Sequence, residues 1–361
     1  MSLSCGIVGA PNAGKSTLFQ LLTSIPVEIA PYPFSTVNPN RGLVPIQDDR
    51  LEQLAYTVGS SKTTFASLQV VDVAGLVKGA SQGEGLGNQF LAQLREMDLL
   101  IHVLGEFSLT GEGKEPPESM VDQARDVNVE LILADLETVE KRISKTAKVA
   151  RLGDRGAKKE QEFLERLKNH LDKEKPARTF IPASGEEHFM EELHLLTNKQ
   201  VLYVLNRDED SMNEEVSVVI KNYVESQKAP WLSISCKLEQ ELRELNEEER
   251  EAFQEEFSLT KDMVKVIVDR CYELLQLITF FTIKGEEARA WLIQKGTTAW
   301  QAAGKIHTDM QTGFRGVEVI NWEELVKAGG MARARETGSS RAEGKDYQVK
   351  EGEVLLIRFS A

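Results

Sequence analysis

The segment Gly9–Ser16 constrains the fold of this 361-residue chain more than any other feature. Its sequence, GAPNAGKS, matches the pattern G-x-x-x-x-G-K-[ST]. The apolar run Cys5–Val8 precedes it and predicts a buried strand, and Thr17–Leu22 predicts the start of a helix. A strand, a glycine-rich turn and a helix in this order bring main-chain N–H groups and a helix N-terminus together around an anion. We therefore expect a mostly parallel α/β sheet with a phosphate-binding loop at the end of its first strand.

Six residues of the loop and the helix start are candidate nucleotide-binding residues: Asn12, Ala13, Gly14, Lys15, Ser16 and Thr17. Glycine lets the main chain approach phosphate oxygens where a Cβ would collide. Lys15 is expected to contact the β- and γ-phosphates, and the Ser16 hydroxyl is expected to bind Mg²⁺. Lys15 is therefore also a candidate catalytic residue.

Three further positions complete the predicted triphosphate and Mg²⁺ site. A strand-like run ends at Asp72, whose carboxylate can hold Mg²⁺ through a bound water, and the Gly75 N–H can meet the γ-phosphate. Thr36 lies in a proline-rich loop between these elements, where nucleotide switches place a threonine that binds Mg²⁺. Thr36 and Gly75 are thus candidate catalytic residues, and the glycine-rich run Gly75–Gly87 predicts a switching segment. The alternatives are an ordinary turn after Asp72 and a flexible loop that does not switch.

The residue after Gly75 is Leu76, at a position where many related GTPases use a glutamine to orient the attacking water. Leucine cannot orient water by hydrogen bonding. Either hydrolysis is slow, or another group such as Lys78 or a main-chain amide supplies the contact. We therefore expect a low intrinsic rate of hydrolysis.

The base of the nucleotide is expected to lie against the residues that follow the buried-strand run Val201–Leu205. Guanine-specific relatives have N-K-x-D there, and the aspartate accepts two hydrogens from guanine. This chain has N-R-D-E at Asn206–Glu209, and Glu209 is one methylene longer than aspartate. Adenine is therefore the preferred base. A register change that brings Asp208 or Asp210 to the base stays open, as does an acidic loop that contacts no base.

Periodic apolar side chains predict a helical insertion at residues 126–198. Apolar residues recur at steps of three and four from Val129 to Ala147, and again from Phe163 to Leu171. The turn-forming segment Gly153–Gly156 separates the two runs. This pattern predicts an antiparallel helical hairpin or coiled coil.

Strand-like runs before and after the insertion predict that it interrupts one α/β domain. We therefore assign residues 1–125 and 199–277 to a P-loop G domain, and residues 126–198 to the helical hairpin. Residues 278–361 alternate short strand-like runs with a helix at Trp300–Ile306, which predicts a small C-terminal α+β module.

Charge limits the nucleic acids that this chain can bind. Its net charge of −14 argues against non-specific coating of nucleic acid, and we expect no DNA partner. Residues 278–361 contain 12 Lys or Arg and 11 Asp or Glu, so local RNA contact is permitted there. Within this part, the basic stretch Arg333, Arg335 and Arg341 favours a solvated loop, with RNA contact as the alternative.

Composition also indicates a soluble cytoplasmic protein without a membrane partner. No apolar run approaches the roughly 20 residues that span a bilayer, and the N-terminal residues lack the pattern of a secretory signal. The three cysteines, Cys5, Cys236 and Cys271, form no metal-binding or redox spacing and predict reduced structural thiols.

The motifs together resemble a known family. The loop Asn12–Thr17, the sequence PFST at Pro33–Thr36 and the sequence DVAGLVKGA at Asp72–Ala80 resemble Obg-related P-loop proteins. The sequence GEGLGNQFL at Gly83–Leu91 and the N-x-x-E motif at Asn206–Glu209 resemble, more narrowly, the YchF subfamily of Obg-like ATPases. In the C-terminal part, the segments similar to that subfamily's TGS domain are Arg289–Trp291, Gln301–Asp309 and Glu343–Tyr347.

The resemblance implies an Mg²⁺-dependent hydrolase that prefers ATP to GTP, with a G domain, a helical insert and a C-terminal TGS domain. It implies association with the ribosome, as 70S particle and large subunit, and it admits RNA contact through the TGS domain and the helical insert. By match to the family pattern, Asn12–Thr17 bind phosphate and Ser16 and Thr36 bind Mg²⁺. Asn206 and Arg207 lie against the base.

Two departures from the family pattern stand out. Family members often carry a histidine, proposed to help hydrolysis, in the loop that corresponds to Gly105–Met120, and this chain has none there. Ser35 stands where family members often have cysteine. Two alternatives stay open: a GTPase of the Obg class, and a nucleotide-gated ribosome or RNA adaptor whose hydrolysis is incidental.

Overall fold

A computed structural model describes residues 3–24, 40–73, 86–106, 119–212, 214–246, 248–250 and 262–360. The contacts between Cα atoms divide the chain into two units. The terminal unit contains Met1–Leu3, Leu43–Gln69 and Val268–Ala361, and the central unit contains Ser4–Gly42 and Val70–Ile267. The three-part division expected from the sequence stays a prediction.

Strands and helices alternate along most of the described chain. The strands, in chain order, are β1 (Ser4–Gly9), β2 (Asn40–Ile46), β3 (Lys62–Thr64), β4 (Ala66–Asp72), β5 (Leu99–Glu106), β6 (Gln200–Arg207), β7 (Trp231–Ile234), β8 (Leu277–Lys284), β9 (Glu287–Gln294), β10 (Phe314–Asn321), β11 (Arg341–Glu343) and β12 (Glu353–Phe359). Helices occur, in the same order, at α1 (Lys15–Thr23), α2 (Asp49–Val58), α3 (Leu86–Glu96), α4 (Met120–Ala150), α5 (Arg155–Leu171), α6 (Glu187–Glu192), α7 (Val218–Ser226), α8 (Cys236–Glu244), α9 (Met263–Leu274), α10 (Ala299–Ile306), α11 (Thr308–Thr312), α12 (Trp322–Ala328) and α13 (Met331–Glu336).

The first sheet has the strand order β2-β4-β1-β5-β6-β7, and its pairs β1–β5, β5–β6 and β6–β7 are parallel. Most residues of β1, β5 and β6 are buried, as expected for parallel strands that are covered on both faces. Because the carboxyl ends of parallel strands lie at one edge of a sheet, the residues that follow β1 and β6 lie at the same edge. The predicted α/β fold with a mostly parallel sheet is confirmed.

Helix α4 buries two different faces along its length. Near its start, Val127 belongs to the same buried cluster as Tyr203 of the sheet. Further along, Val139 belongs to a second cluster with Phe163 of α5. The first half of α4 therefore packs on the sheet, and the second half packs on α5.

A hydrogen-bonded cap fixes the start of each helix of the hairpin. The Ser119 hydroxyl accepts a hydrogen bond from the Asp122 N–H (3.2 Å), and so α4 begins at Met120 rather than near residue 126. After the turn, the Asp154 carboxylate accepts a hydrogen bond from the Ala157 N–H (2.7 Å) and caps α5. The predicted helical hairpin is confirmed.

The second sheet lies within the terminal unit and has the order β11-β10-β12-β8-β9-β3. Strand β3 pairs in parallel with β9, and the Thr64 hydroxyl donates to the Glu287 carboxylate (2.6 Å). The mixed strands and the helix α10 confirm an α+β arrangement. The strand that Lys62–Thr64 supplies to this sheet was not predicted from the sequence.

Glu351 holds helix α2 within the terminal unit. One carboxylate oxygen accepts a hydrogen bond from the Arg50 guanidinium (2.6 Å). The other accepts hydrogen bonds from the Thr279 N–H (2.9 Å) and the Tyr272 hydroxyl (3.0 Å). These contacts, together with the pairing of β3 with β9, join residues 43–69 to the C-terminal residues.

The basic stretch expected as a solvated loop is exposed, as expected, but it is not a loop: Arg333 and Arg335 lie on α13 and Arg341 begins β11. Arg335 lies on α13 and donates two hydrogen bonds to the buried Glu318 carboxylate (2.8 and 3.0 Å). Arg341 begins β11 and pairs with Glu353. A carboxylate that is buried in the fold binds each of these two arginines, and a local sequence pattern does not show such partners.

Two simpler expectations concern the cysteines and the membrane. Cys5, Cys236 and Cys271 are buried and form no disulfide bond, as predicted. Burial raises the pKa of the Cys236 thiol to about 12, so this thiol stays protonated and unreactive near neutral pH. Within the described ranges, no helix combines the length and apolar character that a membrane span needs.

Candidate nucleotide-binding site

The loop after β1 has the backbone conformation that is typical of a phosphate-binding loop. Gly9 has φ of +154°, and a Cβ at this position would lie 2.4 Å from the main-chain oxygen of Val103 on the adjacent strand β5. Gly14, with φ of +93°, is the residue that directly precedes α1. Both positions therefore require glycine, and together they turn the chain sharply from the strand into the helix.

Lys15 lies inside this loop. Its side chain is buried, with the residue only 8% exposed, and Nζ donates a hydrogen bond to the main-chain oxygen of Ala10 (2.7 Å). Burial lowers the pKa of the Lys15 amine to about 8, and the charge of Asp72 opposes this shift. The amine is thus mostly protonated near pH 7 and lies inside the curve of the loop.

Ser16 and Asp72 come together as the sequence predicts. The Ser16 hydroxyl donates a hydrogen bond to the Asp72 carboxylate (2.9 Å), and Asp72 is buried at the end of β4. Burial raises the pKa of Asp72, while the hydrogen bond from Ser16 and the charge of Lys15 oppose that rise. A hydroxyl and a carboxylate beside a phosphate loop are oxygen donors of the kind that Mg²⁺ prefers. The residues present therefore fit this ion.

Other predicted residues of the triphosphate site lie outside the described residues. They include the candidate catalytic residues Thr36 and Gly75, and also Leu76. Their predicted roles stay predictions. Of the loop Gly105–Met120, residues 107–118 also lie outside.

Asn206 connects two parts of the site. Its Nδ2 donates a hydrogen bond to the main-chain oxygen of Ala13 (3.1 Å), and its Oδ1 accepts one from the Cys236 N–H (3.0 Å). Asn206 is buried at the end of β6, and Cys236 begins α8. The predicted base motif therefore lies directly beside the phosphate loop.

Arg207 is buried next to Asn206, and its partners lie within the fold. Its guanidinium donates hydrogen bonds to the Glu106 carboxylate (2.6 Å) and to the main-chain oxygen of Glu214 (3.1 Å). Glu106 was not predicted as a site residue. The local sequence carries no signal for it, because Glu106 and Arg207 become neighbours only in the register of the parallel strands β5 and β6.

Glu209, the fourth residue of the base motif, forms an ion pair with Lys237. Glu209 follows β6, and Lys237 lies in the first turn of α8. The pair therefore joins the segment after β6 to the segment after β7. The fourth position of the motif is thus paired with a lysine of the next segment.

Family models match most of the chain. Residues 4–150 match the model MMR_HSR1, described as "50S ribosome-binding GTPase". Residues 277–360 match YchF-GTPase_C, described as "Protein of unknown function (DUF933)".

Full-length relatives are also similar. The chain is 42% identical to the "Ribosome-binding ATPase YchF" of Bacillus subtilis and 40% identical to that of Escherichia coli O157:H7, with 100% of both chains covered in each case. The solved structure of the Schizosaccharomyces pombe YchF GTPase is 31% identical, with a TM-score of 0.81, over 99% of this chain and 98% of that chain.

Fold, phosphate loop and base motif together define a P-loop nucleotide-binding protein of the GTPase fold. Similarity over the full length narrows this class further. The chain belongs to the YchF family.

Proposed function

We propose that this chain is a Mg²⁺-dependent ATP hydrolase that associates with the ribosome and acts as a nucleotide switch in the cytoplasm. The arrangement that carries this proposal is Lys15 buried inside the loop, beside the hydrogen bond between Ser16 and Asp72. The relatives named ribosome-binding ATPases support it. Hydrolysis is slow without a partner, because Leu76 cannot orient water.

Each residue of the site has a proposed role. Ser16 and Thr36 would hold Mg²⁺ directly, and Asp72 would hold it through a water. Bound there, Mg²⁺ supplies positive charge against the β- and γ-phosphate oxygens. Lys15 contacts the same phosphates, and the Gly75 N–H contacts the γ-phosphate. The main-chain N–H groups of Asn12–Thr17 surround the phosphate chain.

We infer that the base is adenine, with Asn206, Arg207 and Glu209 forming its surroundings. Bidentate recognition of guanine needs both oxygens of a carboxylate at the fourth motif position. The ion pair with Lys237 uses Oε1 of Glu209, which supports the adenine assignment. Because the S. pombe relative is named a GTPase, guanine is the second candidate.

Competition between fluorescent ATP and GTP analogues tests the base assignment. The wild-type protein is expected to bind ATP at least about tenfold more tightly, and Glu209→Asp is expected to raise GTP affinity by restoring the shorter carboxylate. Glu225→Asp makes the same chemical change at an exposed site on α7, away from the base motif, and serves as the control. Tighter binding of GTP by the wild type would reverse the assignment.

Single-turnover hydrolysis of ATP, with and without purified bacterial 70S ribosomes, tests the switch. We expect ribosomes to accelerate hydrolysis. If hydrolysis is unchanged while ribosome binding depends on the nucleotide, the chain is an adaptor whose hydrolysis is incidental.

The proposed RNA contacts lie in the C-terminal part, which we assign to a TGS domain, and in the helical insert.

A further inference from the structure

The end of the helical hairpin concentrates positive charge in an acidic chain. Residues 141–159, which we call the hairpin tip, contain eight Lys or Arg and one Asp. The whole chain has a net charge of −14. The hairpin tip comprises the last turns of α4, the connecting turn and the first turn of α5. Its charge therefore contrasts with that of the chain as a whole.

Most of these cations lack an ion-pair partner within the part of the chain that the structure describes. Lys141 pairs with Glu137, and Arg142 pairs with Glu160 and Glu192. Six exposed residues remain without one: Lys145, Lys148, Arg151, Arg155, Lys158 and Lys159.

The single acidic residue of the hairpin tip, Asp154, is the N-cap of α5. The Asp154 carboxylate accepts the Ala157 N–H and caps α5. It is needed to begin the helix, because an N-cap acceptor satisfies an N–H that otherwise has no partner in the first turn. Helix capping therefore accounts for Asp154 independently of the charge of the surrounding surface.

The unpaired cations face outward on both helices. Lys145, Lys148 and Arg151 follow one another at steps of three, which makes them neighbours on the surface of α4. The inward positions Thr146 and Ala150 are buried. Like charges at this spacing destabilise a helix, so the arrangement weakens the hairpin unless an anionic partner is present.

We propose that the hairpin tip binds the phosphate backbone of ribosomal RNA, an inference that rests on the proposed association with the ribosome. Separated lysines and arginines suit phosphates, which they contact as individual charges. An anionic lipid surface also attracts clustered lysines and arginines, and helices that lie in a membrane surface add a broad apolar face to this charge. At the hairpin tip the exposed large apolar side chains are Val149 and Leu152, so the surface favours RNA.

The test compares two double variants on opposite ends of one hairpin helix. Lys158→Gln/Lys159→Gln removes two charges from the hairpin tip. Lys173→Gln/Lys175→Gln removes two exposed charges just beyond the other end of α5 and serves as the matched control. Binding to purified bacterial 70S ribosomes is measured by sedimentation over a series of KCl concentrations.

We expect the tip variant to bind about tenfold or more weakly at low salt, and its plot of log affinity against log salt to lose about two units of slope. The control is expected to bind like the wild type. The thermal unfolding midpoint of the tip variant should not fall, because the substitutions relieve like-charge repulsion. Deproteinised ribosomal RNA is expected to show the same dependence on the hairpin tip.

The outcomes separate this inference from the function on which it rests. If the wild-type protein does not bind ribosomes, the proposed function fails and the inference fails with it. If the wild type binds and the tip variant has unchanged affinity and slope, only the inference is wrong. Dependence on the hairpin tip with intact ribosomes but not with deproteinised RNA would indicate a ribosomal protein as partner. If the tip variant binds ribosomes like the wild type but binds phosphatidylglycerol vesicles more weakly, the inference is wrong and the partner is a membrane.

Discussion

The Asn206 side chain donates a hydrogen bond to the main-chain oxygen of Ala13 at 3.1 Å, although 193 positions separate the two residues in sequence. The same side chain accepts a hydrogen bond from the Cys236 N–H. Because Asn206 is buried, both bonds form away from water. Its removal would leave the Ala13 oxygen and the Cys236 N–H without these partners, which lowers the free energy of unfolding. The phosphate loop and the base segment are therefore held together by one amide.

Replacing Asn206 with alanine is expected to weaken ATP binding by about tenfold and to lower the free energy of unfolding by about 2–4 kcal/mol. Asn206→Asp keeps the acceptor for Cys236 and loses the donor to Ala13, so we expect a smaller loss. Titration with a fluorescent ATP analogue and urea unfolding measure the two effects. Asn222→Ala, at an exposed site on α7, is the control. Wild-type affinity in Asn206→Ala would refute the linking role.

Burial of His102 predicts sensitivity of the central unit to acid. His102 is 1% exposed in β5 and stacks on Tyr203, with ring centroids 5.0 Å apart. Burial lowers the pKa of His102 to about 3, and the charges of Arg178 and Lys15 also oppose its protonation. The unfolded chain binds this proton near pH 6.5. The contribution of the neutral ring to the free energy of unfolding is therefore fully present above pH 6.5 and is lost as the pH falls toward 3.

Between the pKa values of His102 in the unfolded and folded chain, the free energy of unfolding falls by about 1.4 kcal/mol per pH unit, or about 2 kcal/mol from pH 6.5 to pH 5. His102→Phe keeps an aromatic ring and removes the titration, so its free energy of unfolding should fall less between pH 7 and pH 5. Urea unfolding at the two pH values measures the difference. His188→Phe, at an exposed histidine, should leave the pH dependence unchanged. Equal pH dependence in His102→Phe and wild type would contradict the assignment.

Arg335 is predicted to stabilise the terminal unit through Glu318. Its hydrogen bonds lower the pKa of Glu318 to about 2, with a further contribution from Arg358. Arg335→Ala leaves this buried carboxylate with a weaker set of partners, and we expect a lower free energy of unfolding near pH 7.

The loss should shrink as the pH falls from about 4.5 toward 2, because the ionised form of Glu318 then disappears. Arg333→Ala, on the same helix and exposed, should change stability by less than about 0.5 kcal/mol. Thermal unfolding followed at pH 7 and pH 3 compares the two variants. Equal effects of the two substitutions would contradict a specific role for Arg335.

Local sequence patterns predicted the parts of the site that follow directly from a strand end. The loop, the helix at Lys15 and the approach of Asp72 to Ser16 all depend on short segments with strong patterns. The partner of Arg207 was not predicted, because Glu106 becomes its neighbour only through the register of two strands about 100 residues apart.

The terminal unit shows a second reason for failure. Strand β3 has three residues, too few for an alternating pattern, and its partner β9 is more than 200 residues away. Arg335 and Glu318 likewise meet through tertiary packing. A one-dimensional pattern indicates exposure at an arginine, whereas the fold supplies a buried carboxylate as its partner.

The central claim is that the loop after β1 binds the triphosphate through Lys15. The most direct measurement is the affinity of Lys15→Ala for a fluorescent ATP analogue in the presence of Mg²⁺, with Lys284→Ala at an exposed site as control and thermal unfolding as the check on folding. We expect affinity to fall about 100-fold, because charge-assisted bonds to two phosphates are lost. Unchanged affinity in a folded Lys15→Ala protein would contradict the account.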